Sequence, residues 1–204
     1  MTAWWGGVHP DPVINQAMAL GASQDPQELA MARDLIAGLD PHDVIVEIGC
    51  DRGGTLYCWR SLAERVYGIT IADNSYETGG SGQPLVDYGA QMRMGDSHDG
   101  LSRLWLVGKL AGSPVDALVI DGDHSEAGVL ADLADYGPMV RPGGVILLHD
   151  IRSDSDHRAQ VHKVWPYLAD QYESSQLCNR EGGPGWGVIH VREGDEFGGD
   201  RGGA

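Results

Sequence analysis

A chain of 204 residues suffices for one domain with a buried core. With 30 acidic against 14 basic residues and a net charge of −16, it lacks the clustered Lys and Arg that neutralise a phosphate backbone, which argues against a nucleic-acid partner. No apolar run reaches the roughly 18 residues of a membrane span, and the charge is spread along the chain as a solvated surface. The first residues, Met1 to Gly7, lack the basic-then-apolar pattern of a secretory signal, so the expected compartment is the cytoplasm. Cys50, Cys58 and Cys178 have no metal-type spacing and read as reduced thiols.

Residues 1–24 read as a lead-in punctuated by Pro and Gly, whose apolar start offers a contact for a homo-oligomer. Asp25-Pro26-Gln27-Glu28 then has the marks of a helix start: a capping Asp, Pro at the first helical position and Glu three residues after the cap. Leu29, Ala32, Ile36 and Leu39 follow at helical spacing, and Asp40-Pro41 closes that helix. The unalternated, β-branched runs 44–48, 66–69, 117–120 and 145–148 suit parallel strands buried on both faces, and 90–94 is a weaker strand. Between them 55–64, 99–110 and 126–136 read as helices, the last capped by Ser125. The helix around Val161, Val164, Trp165 and Leu168 is expected to bend or restart at Pro166. Segments 176–179 and 187–191 are joined by too short a loop for a crossover, so they should form an antiparallel hairpin. The expected fold is α/β, a mostly parallel sheet with helices on both faces. It forms one domain over 1–193, with 1–40 as lead-in and first helix and 194–204 as a disordered tail.

The first strand runs into Glu47-Ile48-Gly49-Cys50-Asp51-Arg52-Gly53-Gly54-Thr55 and then a helix, the natural place for a ligand in an open α/β sheet. A dinucleotide loop wants glycine where Asp51 stands, and a carboxylate there repels pyrophosphate; a Walker loop wants a Lys-Ser/Thr pair that is absent. S-adenosylmethionine carries no phosphate, and its sulfonium and ammonium are cations, so the E-x-G-x-D-x-G spacing fits it better. A purely structural glycine turn is the other reading.

In chain order, the glycine loop, Gly95-Asp96-Ser97, Ile120-Asp121-Gly122-Asp123-His124-Ser125, Arg141-Pro142-Gly143-Gly144, Leu148-His149-Asp150 and Gly185-Trp186-Gly187-Val188-Ile189 resemble the class I methyltransferase family. Within it, the chain is most similar to the branch holding cephalosporin-hydroxylase-type and macrolide-sugar O-methyltransferases. The resemblance covers about residues 40–192 and is most specific from Asp121 to Asp150. It implies a Rossmann-like, seven-stranded sheet with an antiparallel last strand. It also implies that Glu47, Gly49, Asp51 and Gly53 form the cofactor loop, with Asp96 and Ser97 beside the adenine. The second strand of the family usually ends in an acid that holds the ribose; here Thr70 follows Ile69, so Thr70 or Asp73 takes that place.

Asp121, Asp123, His124, His149 and Asp150 fall at the ends of two strands that neighbour each other in this topology. The metal-dependent members of the family use one acid after the fourth strand and an adjacent pair after the fifth. By that match Asp121, His149 and Asp150 are metal ligands, with His149 where an acid is usual. Oxygen ligands suit magnesium, and a nitrogen ligand tilts the preference toward manganese, iron or zinc. Asp121 and Asp123 also read as a helix-start cap cluster. His124 matches the family's proposed general base, able to take a proton from a substrate hydroxyl; a surface histidine is its bland reading. The implied activity is metal-assisted methylation of a small hydroxylated acceptor, a sugar or secondary metabolite. Its rivals are a metal-free methyltransferase, a cofactor-binding protein without catalysis and, more distantly, a nicotinamide oxidoreductase. Trp4, Trp5, Tyr76 and Trp186 are candidate substrate walls, His98 is a candidate border of the cofactor, and the Gly-rich 72–89 segment is a candidate lid.

Overall fold

The computed structural model describes residues 8–71, 89–152, 159–179 and 183–198. The expected lid over 72–89, along with Trp4, Trp5, Asp73 and Tyr76, lies outside them, save for Gly89.

Seven strands form one sheet in the order β3-β2-β1-β4-β5-β7-β6. They are β1 (Val44–Ile48), β2 (Arg65–Thr70), β3 (Gln91–Met94), β4 (Val115–Ile120), β5 (Val140–His149), β6 (Ser174–Leu177) and β7 (Trp186–His190). The first five run parallel, and β7 is antiparallel to both β5 and β6. The fold is thus the Rossmann-like α/β sheet expected, with the hairpin closing one side. β1 and β4 are buried at every residue, which is why their sequences show no polar alternation.

Alternate residues of the same strands serve two cores. Val46, Ile48, Leu118, Ile120, Ile146 and Leu148 face α4 (Gly100–Leu110), α5 (Glu126–Tyr136) and α6 (Val161–Gln171). Ile45, Ala117, Val119, Val145 and Leu147 face α1 (Pro12–Ala19), α2 (Pro26–Ala37) and α3 (Gly54–Arg60). Fully burying each aliphatic side chain contributes about 1.5–3 kcal/mol, so this double-sided packing carries the sheet.

Three local expectations are corrected. The lead-in contains a helix, α1, whose start is Asp11 accepting from Val13 N, with Pro12 at its first position. α6 does not restart at Pro166 but continues through it, with Val161, Val164, Trp165 and Leu168 buried against the sheet. Residues 194–198 do not hang free: Phe197 is buried, stacks on Tyr172 at 5.0 Å, and lies against Gly137, which opens the 3₁₀ turn Gly137–Met139. All three cysteines are free thiols. Among the described residues, no helix is long and apolar enough to cross a membrane.

Candidate active site

The parallel strands β1, β4 and β5 end side by side, and each leads into a polar loop. After β1 the chain turns at Gly49, whose φ is +88°. A Cβ there would stand 2.1 Å from Asp121 O, so glycine is what lets the ends of β1 and β4 close together. Asp51 follows in the left-handed region at φ +41°, and Gly53 at +82° opens α3.

A cleft of about 250 Å³ lies above this loop. Gly49, Asp51, Thr70 and Ser97, four of the residues assigned to the cofactor from sequence, line it together with Asp121, assigned there to the metal. Thr70 ends β2 beside it, half-buried. Among the described residues no Lys or Arg lines this cleft, which suits a cationic ligand and not a phosphate. Three expected contributors, Glu47, Gly53 and Asp96, are not among the residues of the wall. Glu47 is fully buried beneath the loop, its Oε2 accepting from Thr55 Oγ1 over 2.8 Å and its Oε1 without a partner among the described residues. Burial pushes its pKa up to about 8, with Thr55 opposing and the Asp121 charge adding to the rise. Asp96 instead turns its half-exposed carboxylate to its own loop, accepting from His98 N over 2.9 Å.

At the other end of the cleft the strand ends bring four groups together. Asp121 Oδ1 lies 3.0 Å from His124 Nε2 and 3.2 Å from His149 Nδ1. His124 Nδ1 reaches Asp150 Oδ2 over 3.2 Å, so a single imidazole spans both carboxylates. Asp150 takes a left-handed backbone, φ +59°, which an aspartate tolerates better than most residues. Burial would raise the Asp121 pKa, but His149 and His124 overcome it and hold the carboxyl well below its usual range. The hydrogen bond to Asp121, opposed by burial and helped by Asp150, lifts His124 to about 9.

One ligand atom each from Asp121, His124 and Asp150 lies within 4.8 Å of the others, close enough for one ion. Two carboxylates and an imidazole form a donor set fit for a divalent cation. His149, expected as a ligand, is deeper: its ring packs on Trp186 at 4.4 Å, and its Nε2 is buried without a partner among the described residues. Its Nδ1 is 3.6 Å from Asp150 Oδ1. Burial lowers the His149 pKa, and Asp121 with Asp150 more than restores it. Trp186, a candidate substrate wall, is fully buried under this ring.

The two readings of the acid pair separate by position. Asp123 accepts from Ser125 N over 2.9 Å and serves the start of α5, whereas Asp121 turns into the cluster. His98 pairs with Asp132 of α5, its Nε2 3.3 Å from a carboxylate that is fully buried. Burial raises that carboxyl to about 6, with Ser97 and His98 pulling it back.

Sequence reasoning missed the α1–α2 linker. Gly21, Ala22, Ser23 and Gln24 form part of the cleft wall, and Gln24 Nε2 donates to Asp121 Oδ2 over 2.6 Å. No spacing rule connects residues 97 positions apart.

A family model described as a methyltransferase domain matches residues 46–151. A Streptomyces olivaceus protein, 8-demethyl-8-alpha-L-rhamnosyl tetracenomycin-C 2'-O-methyltransferase, is 27% identical over 123 residues, covering 59% of this chain and 28% of that protein. Among solved structures, the O-methyltransferase from Bacillus cereus in complex with SAH superposes with a TM-score of 0.63 at 18% identity, over 91% of this chain and 93% of that one. MycE methyltransferase from the mycinamycin biosynthetic pathway, in complex with Mg and SAH, does so with a TM-score of 0.56 at 20% identity, over 86% and 50%. The chain therefore spans well under a third of the curated relative and half of MycE.

Proposed function

We propose that this chain, which belongs to the methyltransferase-domain family through residues 46–151, transfers a methyl group from S-adenosylmethionine to a hydroxyl of a small molecule, a sugar or secondary metabolite, with a divalent cation assisting. The observation that carries this reading is the meeting, at one sheet edge, of a cation-suited cleft with the Asp121–His124–Asp150 cluster. The relatives' activities as their names give them, sugar O-methylation and binding of Mg and SAH, point the same way.

In this reading the glycine loop, Asp51, Thr70 and Ser97 hold the cofactor, and Glu47 supports the loop from below through Thr55. Asp121 and Asp150 hold the metal with a nitrogen from His124 or His149, magnesium or manganese being the natural occupant. When bound, the cation lowers the pKa of a nearby hydroxyl and competes with the proton that Asp121 and Asp150 otherwise stabilise on His124. His124 acts as base only when neutral, and a nitrogen on a metal is no longer free for a proton. The assignment thus needs one ring nitrogen turned to the acceptor, with His149 Nδ1 the alternative ligand. Holding the two reactants in line supplies much of the acceleration.

A second reading, methyl transfer without metal, is favoured by the same distances: two imidazoles facing two carboxylates balance their charge when both are protonated. Calorimetry on metal-stripped protein separates the two. The expected result is S-adenosylmethionine binding together with Mn²⁺ or Mg²⁺ binding that Asp150→Ala abolishes. Cofactor binding without metal binding moves the conclusion to the second reading, and absence of both removes the enzyme reading.

A further inference from the structure

The α1–α2 linker touches both halves of the site. Gly21, Ala22 and Ser23 form a wall of the cofactor cleft, and α3 starts directly beneath them: a Cβ on Gly54 would stand 2.3 Å from Ala22 N. The linker is held at both ends. Ala22 N donates to Ala17 O over 3.0 Å, closing the end of α1. Asp25 caps α2, and the fully buried Glu28 accepts from Asn179 N and Gly185 N, each over 3.0 Å, tying α2 to the β6–β7 connection.

Gln24 sits at the centre of this strap, only 5% exposed. Its Oε1 accepts from Ser23 N over 3.1 Å, and its Nε2 donates to Asp121 Oδ2 over 2.6 Å. Oδ2 is the oxygen that neither histidine uses, since His124 and His149 both meet Oδ1. The amide therefore fixes the plane of the Asp121 carboxylate and leaves Oδ1 to face the rest of the cluster. Ser23, whose backbone orients the Gln24 amide, is itself a residue of the cleft wall. A ligand that orders the cleft wall thus also orders Asp121. Residue 24 lies outside the segment that the family model matches.

We infer that Gln24 is a positioning residue that couples the cofactor cleft to the Asp121–His124–Asp150 cluster, so that each ligand raises the affinity for the other. The inference rests on the reading that both groups bind here. Coupling between two sites is reciprocal, with typical factors of about 5- to 150-fold.

The test measures Mn²⁺ affinity of the full chain with and without saturating S-adenosylhomocysteine, and the converse titration, in wild type, Gln24→Met and Gln24→Ala. Methionine keeps the length and packing of the side chain but has no N–H to donate. Wild type should show the same enhancement, on the order of tenfold, in both titrations. In Gln24→Met the enhancement should fall to near one in both titrations, whatever the change in either ligand's affinity alone. Unchanged enhancement in both variants overturns the inference, as does a wild type that binds both ligands independently. A Gln24→Met protein that melts early and loses both ligands marks the residue as framework and overturns it too. A wild type that fails to bind one ligand at all removes the functional reading itself, and the single-ligand titrations identify that case.

Discussion

Glu47→Gln is the sharpest probe of how the cofactor loop is built. The folded Glu47 pKa stands at about 8 against an ordinary 4.5, because the carboxyl is buried beneath the loop. Between those values the unfolded chain has released the proton and the folded one retains it. Stability is therefore full below pH 4.5 and falls by about 1.4 kcal/mol per pH unit until the folded group ionises near 8. Between pH 4.5 and 7 the loss comes to about 3 kcal/mol. The amide of the variant stays neutral throughout and keeps an acceptor for Thr55. Urea unfolding in the presence of chelator, across pH 4.5 to 7, should show Glu47→Gln gaining on wild type by that amount as pH rises. A flat difference would refute the reasoning: water would then reach Glu47, and the loop would not be closed from below.

Asp132→Asn makes a related claim on the other side of the sheet. The folded carboxyl is raised to about 6 from 3.8, so wild type should lose up to about 3 kcal/mol as pH climbs through that window, and the variant should not; parallel urea curves at pH 4 and 7 check it. Gly49→Ala puts a Cβ 2.1 Å from Asp121 O at φ +88° and should cost on the order of 3 kcal/mol. Gly108→Ala, which meets nothing in α4, should gain about 0.5–1 kcal/mol from helix propensity. Thermal melts of the two side by side decide whether close approach or mere glycine content governs position 49.

The centre of the sheet was legible because its strands are buried on both faces: Val44–Ile48 has no polar alternation except Glu47, and the structure buries every residue of it. Ser125 and Asp25 were legible as caps because capping is local in sequence. α1 was not read, since a helix of eight residues between Pro12 and Gly21 carries too little periodicity to stand against its breakers. The restart offered at Pro166 does not occur, because packing of Val164, Trp165 and Leu168 outweighs a single missing amide. At the site, the strand-end acids could be placed from topology alone. The ring orientations of His124 and His149, and the reach of Gln24 to Asp121, depend on tertiary packing that no short-range pattern encodes.

Phe197 bears on how this domain can be joined to anything else. Its anchor is Gly137, just past the end of α5, a helix that starts at Ser125 beside the active cluster. Eleven helical residues separate those points, roughly 16 Å along the helix axis. A tag, linker or fused module attached after residue 198 would therefore leave from the opposite pole of the sheet, where its bulk meets neither the cleft nor the linker that walls it. The amino-terminal side is the reverse case: α1 packs on α3 and runs straight into that wall. Cargo carried there would be tethered to a helix that is continuous with the cleft wall.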